Sequence, residues 1–227
     1  MIKIKKLIDL LKKNKSDFFT GVPDSILKEL SYSLQSKNYK NHILATNEGS
    51  AVSLGIGKYL STQKVPVVYM QNSGLSNALN PLISIAHEKV YSIPLILIIG
   101  WRGSPRIKDE PQHNVKGKIT EQLLKLLNIK YTILRTNLDL KKFDKQIKIA
   151  KKNKRIVACL IEQGVIEKTK KTIKKKDFYK LNKEFFLKTL LENLPNKSKI
   201  ISSTGYNSRE LMYLREKFKI KKTNEFY

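Results

Sequence analysis

The chain has 227 residues, 41% of them hydrophobic, and 45 Lys and Arg against 19 Asp and Glu, a formal charge of +26. That length can bury a full core, most simply one domain of roughly 150 to 170 residues with a smaller unit beside it. No apolar run reaches the roughly 18 to 20 residues that span a bilayer, and the start Met1-Ile2-Lys3-Ile4-Lys5-Lys6 lacks the apolar core of a secretory signal.

In chain order, the patterns predict a leading helix before Asn14, then strands at 17–21, 42–46, 65–71, 94–100, 131–136 and 155–162. Helices fill the gaps at 24–35, 49–60, 75–87, 117–127 and 138–152, the spacing of right-handed crossover units. The second strand, His42-Ile43-Leu44-Ala45, reads as short and buried, and the helix after it as packed closely enough to tolerate Gly55 and Gly57. Near-continuous runs such as Leu95-Ile96-Leu97-Ile98-Ile99 belong to parallel strands covered on both faces. The fold class is α/β: a doubly wound, mainly parallel six-stranded sheet with helices on both faces. This domain spans 1–167, a lysine-rich linker 168–177, and an incomplete second α/β unit 178–227, with helices at 178–193 and 209–217 around a strand at 199–203.

Cys159 is the one cysteine, so an internal disulfide is excluded and the cytoplasm is the expected compartment. It lies in the apolar run Ile156-Val157-Ala158-Cys159-Leu160-Ile161, the setting of a small core residue. The charge invites a nucleic-acid reading, but its distribution opposes one. From His42 to Gly100 the only cations are Lys58, Lys64 and Lys89, and the excess collects at 141–154 and 168–176. Only six of the basic residues are arginine, the residue suited to bidentate phosphate and base contacts, and no aromatic stripe accompanies the lysines. Neither a specific nucleic-acid partner nor a membrane is expected.

Unusual residues gather after the proposed strands, where open α/β sheets hold their ligands. These are Gly21-Val22-Pro23-Asp24-Ser25, Asn47-Glu48-Gly49, Gln71-Asn72-Ser73-Gly74 and Gly100-Trp101-Arg102-Gly103, followed by a long polar loop over 104–116. Each has a structural explanation. Asp24, Ser25 and Glu48 suit helix starts, Ser73-Gly74 a turn, and Trp101 a core edge. Four consecutive loops so loaded describe a site, and Glu48, one carboxyl between an apolar strand and a small-residue helix, is its best candidate for chemistry.

These motifs, with Asn80-Pro81-Leu82 and Asp109-Glu110-Pro111-Gln112-His113, resemble the N-terminal pyrimidine-binding domain of the phosphonopyruvate decarboxylases over residues 17–167. The chain is also similar to the alpha subunits of sulfopyruvate decarboxylases. The resemblance resumes at 203–211, which is similar to the opening of the diphosphate-binding domain. It implies a carboxy-lyase of phosphonate biosynthesis that uses thiamine diphosphate and Mg²⁺ and converts phosphonopyruvate to phosphonoacetaldehyde and CO₂. Glu48 would hydrogen-bond a ring nitrogen of the aminopyrimidine, with Asn72, Ser73, Gly74 and Asn77 around the cofactor. His113, which also reads as a surface loop histidine, would be a proton donor. Asp24, Ser25, Arg102, Lys108 and Gln112 would receive the anionic 2-oxo acid, the first two through amides at a helix start. The Gly-Asp-Gly motif that holds the metal and diphosphate does not occur here. Metal ligands are therefore expected on a partner chain or further domain, in a homo- or hetero-oligomer. Three alternatives stand together: a phosphonopyruvate decarboxylase part, a sulfopyruvate decarboxylase alpha-type subunit, or a non-catalytic remnant that binds ligands or polyanions.

Overall fold

Apolar runs of five or six residues alternate with segments of helical period, and in the computed structural model they form a parallel α/β sheet. Residues 1–35, 41–168, 181–195, 198–202, 205–219 and 225–226 are described, in two units, 1–170 and 171–227. In the first, α1 (Ile4–Lys13), β1 (Phe19–Gly21), α2 (Lys28–Gln35), β2 (His42–Leu44), α3 (Glu48–Thr62) and β3 (Val67–Gln71) follow one another. A 3₁₀ turn (Asn72–Gly74) then leads into α4 (Leu75–Pro81), β4 (Ile96–Trp101), α5 (Pro111–Leu126), β5 (Lys130–Leu134), α6 (Asn137–Lys152) and β6 (Val157–Glu162).

The six strands are all parallel, in the order β2-β1-β3-β4-β6-β5. The chain steps outward from β1 to β2, then crosses back over β1 to β3. The order therefore reverses between β1 and β3, and the loops leaving their carboxyl ends diverge into a crevice. β4 and β6 are buried at every position, because helices cover both faces. Phe19, Leu30, Tyr69, Met70, Leu97, Phe143, Ile147 and Leu160 fill the core. Cys159 lies within it, and burial pushes its thiol far above the usual range.

Several expectations are corrected. β2 is an edge strand rather than a buried one: Ile43 is 44% exposed and Leu44 50%. Gly55 does pack tightly, its absent Cβ lying 3.0 Å from Val68, but Gly57 faces open space. The helix predicted at 75–87 is α only to Pro81, which lacks an N–H, and it continues as a π turn over Leu82–Ala86. α2 begins at Lys28, not residue 24, because the Asp24 carboxylate accepts from the amides of Ile26 and Leu27 and closes a turn ahead of the helix. α5 begins at Pro111 rather than 117, since proline is well suited to the first helical position.

In the second unit α7 (Lys183–Asn193) and α8 (Tyr206–Phe218) pack through Leu187, Leu191, Leu211 and Leu214. β7 (Ile200–Ile201) pairs in parallel with β8 (Glu225–Phe226). The predicted linker lies outside the described residues apart from Lys168, as do Ser203 and Thr204 of the resemblance. No described helix is long and apolar enough to cross a membrane.

Candidate active site

Glu48 opens α3 directly after the β2 turn, with Asn47 as its cap: the Asn47 side chain accepts from the Ser50 amide at 2.8 Å. Capping is thus performed by Asn47, and the Glu48 carboxylate is left to point elsewhere. It lies half-buried against the start of α4, where Oε2 accepts from Asn77 Nδ2 at 2.9 Å. Gly74 makes this possible. A Cβ there would stand 2.3 Å from Glu48 Cγ and 2.5 Å from Oε1. Gly49 permits the same approach from the other side, since its Cβ would stand 3.0 Å from the Asn77 carbonyl. Glu48, Gly74 and Asn77, called separately from the sequence, are brought together.

A second cluster forms where the β1 and β4 loops meet. Asp24 is buried against Gly100, whose Cβ would come within 2.2 Å of Oδ2. Its Oδ1 is buried with no hydrogen-bond partner, and burial pushes the carboxyl above its ordinary range against the lowering from the amides and Arg102. The amides offered to an anion at this helix start are those that Asp24 itself occupies. Ser25 Oγ, in contrast, accepts from Arg102 Nη1 at 3.3 Å. Asn72 is buried and serves the protein: its side chain accepts from the Arg102 amide at 3.1 Å and donates to the Arg102 carbonyl and Thr120 Oγ1 at 2.9 Å each. Ser73 accepts from Gln71 at 2.8 Å.

His113 sits in the first turn of α5, not in a mobile polar loop. Gly103, at φ +65°, holds that turn so close that its Cβ would lie 2.0 Å from the His113 carbonyl oxygen, and a Cβ on Gly117 would lie 1.6 Å from the Gly103 oxygen. Trp101 locks the contact by donating to the Gly117 carbonyl at 2.9 Å. The His113 backbone is therefore fixed beside Arg102-Gly103. Lys108 and Arg102 line one groove of about 470 Å³ with Asp109, Glu110, Pro111 and Gln163, whereas Gln112 is exposed on the helix. Among the described residues no group of three or more His, Cys, Asp or Glu could hold a metal.

Three groups escaped the sequence reading. Asp109 is visible in the sequence only as the first residue of the Asp-Glu-Pro-Gln-His motif, with no role attached to it. His42 Nε2 and Tyr69 Oη meet at 2.7 Å, with the Tyr69 ring lying where a Gly21 side chain would be. Burial lowers the His42 pKa and raises that of Tyr69. Glu162, at the buried end of β6, accepts from Arg135 at 2.8 and 3.1 Å and from Ser104 Oγ at 2.5 Å, tying together the loops after β4 and β5. The Arg135 hydrogen bonds, ahead of the opposing desolvation, hold its carboxyl below the usual range. Its folded pKa being lower than its unfolded one, the stability it contributes is complete above pH ~4.3 and lost as pH falls through the folded value. Glu162→Ala should cost about 2–3 kcal/mol, because Arg135 is left without its partner but one third of its side chain reaches water. Urea unfolding at pH 7 measures the loss, and the gap between variant and wild type should narrow below pH 4.

A family model described as the thiamine pyrophosphate enzyme N-terminal TPP binding domain matches residues 4–124, more than half of the chain. The chain belongs to this family. It is 30% identical over 214 residues to a phosphonopyruvate decarboxylase from Streptomyces hygroscopicus, covering 87% of this chain and 53% of that protein. It is 36% identical over 115 residues to sulfopyruvate decarboxylase subunit alpha from Methanococcus maripaludis, covering 51% of this chain and 66% of the subunit. The chain thus spans about half the length of the phosphonopyruvate decarboxylases it matches. The benzoylformate decarboxylase of Polynucleobacter necessarius shares the fold, with a TM-score of 0.57, 19% identity, and coverage of 88% of this chain and 38% of that one.

Proposed function

We propose that this chain is the pyrimidine-binding part of a thiamine diphosphate-dependent 2-oxo acid decarboxylase acting on phosphonopyruvate, completed by a diphosphate-binding domain. The observation that supports it most is the placement of Glu48: a carboxylate relieved of capping, steadied by Asn77, against a glycine that leaves space beside Oε1. The cradle fits a flat, nitrogen-bearing ring, because a carboxyl can hydrogen-bond a ring nitrogen and no Gly74 side chain obstructs it. In this reading Glu48 holds or accepts the proton at that nitrogen, Asn77 fixes its rotamer, and Gly74 and Ser73 form the floor.

The bound cofactor supplies the carbon nucleophile and the electron sink that takes up the pair released when CO₂ leaves. This chain's residues do the rest. Arg102 Nη1 and Ser25 Oγ meet an anionic end of the substrate, with Lys108 lining the groove beside Arg102 and Gln112 exposed on α5. His113, fixed beside Gly103, delivers the proton that replaces the carboxylate. Asp24 shapes the turn that carries Ser25, its Oδ2 accepting from the Ile26 and Leu27 amides. Mg²⁺ and the diphosphate are held by the completing domain, of which residues 178–227 are the opening.

A second reading, the alpha subunit of a two-chain sulfopyruvate decarboxylase, is favoured by the 36% identity to such a subunit. Holoenzyme purified from its native cells through a tag on this chain decides between them. With phosphonopyruvate it should release CO₂ and phosphonoacetaldehyde, a rate that chelation of Mg²⁺ abolishes. A kcat/KM higher for sulfopyruvate would transfer the assignment to the second reading.

A further inference from the structure

Arg102 is held at both ends before any ligand arrives. Its backbone is gripped by the Asn72 carboxamide through the amide and the carbonyl. Its guanidinium is gripped by Asp109, with Nε donating to Oδ2 at 2.7 Å and Nη2 to Oδ1 at 2.5 Å. Asp109 is itself anchored: Oδ2 also accepts from the Gly103 amide and Oδ1 from the Glu110 amide, each at 2.8 Å. Its side chain is only 7% exposed, and the Arg102 hydrogen bonds hold its carboxyl far below the usual range. The remaining edge of the fork, Nη1, reaches Ser25 Oγ.

We infer that Asp109 is a positioning residue that fixes Arg102 so that its Nη1 edge and the Ser25 hydroxyl form one anion-recognition pair, selecting 2-oxo acids that carry a second anionic group at C3. The inference rests on the proposed decarboxylase reading for the identity of the substrate. A free arginine would lose its rotamer freedom on meeting the ligand, and here that loss precedes binding. The planar fork matters: with two donors turned to Asp109, the third side can face only Ser25 and the groove. The second anion is the group the reaction retains. A fixed donor pair would therefore hold substrate and product ends alike and leave the departing carboxylate unheld.

The sign of one substitution separates this from mere charge competition. If Asp109 only neutralised Arg102, Asp109→Asn would strengthen anion binding. If it positions Arg102, the same change weakens binding despite removing a negative charge. The test uses the full chain and phosphonoacetate as probe, followed by the side-chain Nε–H signal of Arg102 in NMR, with acetate as the singly charged control. Wild type should bind phosphonoacetate at least about tenfold more tightly than acetate, and Asp109→Asn should lose about tenfold, the worth of one charge-assisted hydrogen bond. Arg102→Lys, which keeps the charge and loses the fork, should lose a similar factor. Ser25→Ala touches no bond of the Asp109 staple and should lose severalfold for phosphonoacetate alone, so the inference is tested even where Asp109→Asn fails to fold. Equal or tighter binding by a folded Asp109→Asn, unchanged binding by Ser25→Ala, or wild-type binding no tighter than acetate would each overturn it. None of these readouts involves Glu48 or turnover. Failure of the decarboxylase reading would appear separately, as a holoenzyme that releases no CO₂.

Discussion

Gly74→Ala is expected to lower the turnover of the assembled enzyme by about 10²-fold while leaving the fold intact. Gly74 has φ −74° and ψ −14°, ordinary backbone for any L residue, so no conformational strain attends the change. The whole effect comes from one methyl group. It would stand 2.3 Å from Glu48 Cγ, too near the root of that side chain to be avoided by turning its tip. Glu48 must change rotamer, which breaks the 2.9 Å hydrogen bond from Asn77 and displaces the carboxyl. The check is paired: kcat of the holoenzyme should collapse, while the melting temperature of the chain stays within a few degrees. A variant that melted far lower would show that Gly74 serves packing and not the placement of Glu48.

Glu48→Gln should cost more, about 10²–10⁴-fold in kcat, the range for removing a positioned acid–base group. Glutamine keeps the length of the side chain and can still accept from Asn77 through its carbonyl oxygen, so the cradle survives. What disappears is the ability to give and take a proton at the ring nitrogen. Because Asn47 and not Glu48 caps α3, the substitution should leave stability unchanged to within about 0.5 kcal/mol. That separation makes the variant informative, since loss of activity cannot be ascribed to a frayed helix.

Legibility in the sequence followed the physics of each element. β4 and β6 were readable because a strand covered on both faces requires apolar residues at every position, and both supply them. β2 was misjudged because Ile43 and Leu44 look the same in a central strand and at an edge, and neighbours alone decide the difference. The starts of α2 and α5 shifted in opposite directions for local reasons. Asp24 turned its carboxylate onto the amides before the helix, and Pro111 admitted polar residues to a first turn that read as loop.

In the site, Glu48, Gly74 and Asn77 were named individually, and their convergence follows from the reversal of strand order beside β3. The sequence marks Arg102 as a candidate and gives no sign that Asp109 is its partner, although each belongs to a motif of its own. Six residues of loop separate them, and only its folding around Gly103 makes them a pair. Glu162 gave no signal, because one acid at a strand end is meaningful only once Ser104 and Arg135 are seen to reach it.

The central claim, that this chain supplies the acid–base half of a decarboxylase site, is tested most directly by CO₂ release from phosphonopyruvate. The measurement compares native holoenzyme, purified through this chain and saturated with thiamine diphosphate and Mg²⁺, with the same preparation carrying Glu48→Gln. Steady release by the wild type and a fall of at least about 10²-fold in the variant is the predicted result. Equal rates in the two preparations, or no release from the wild type with any 2-oxo acid, would contradict it.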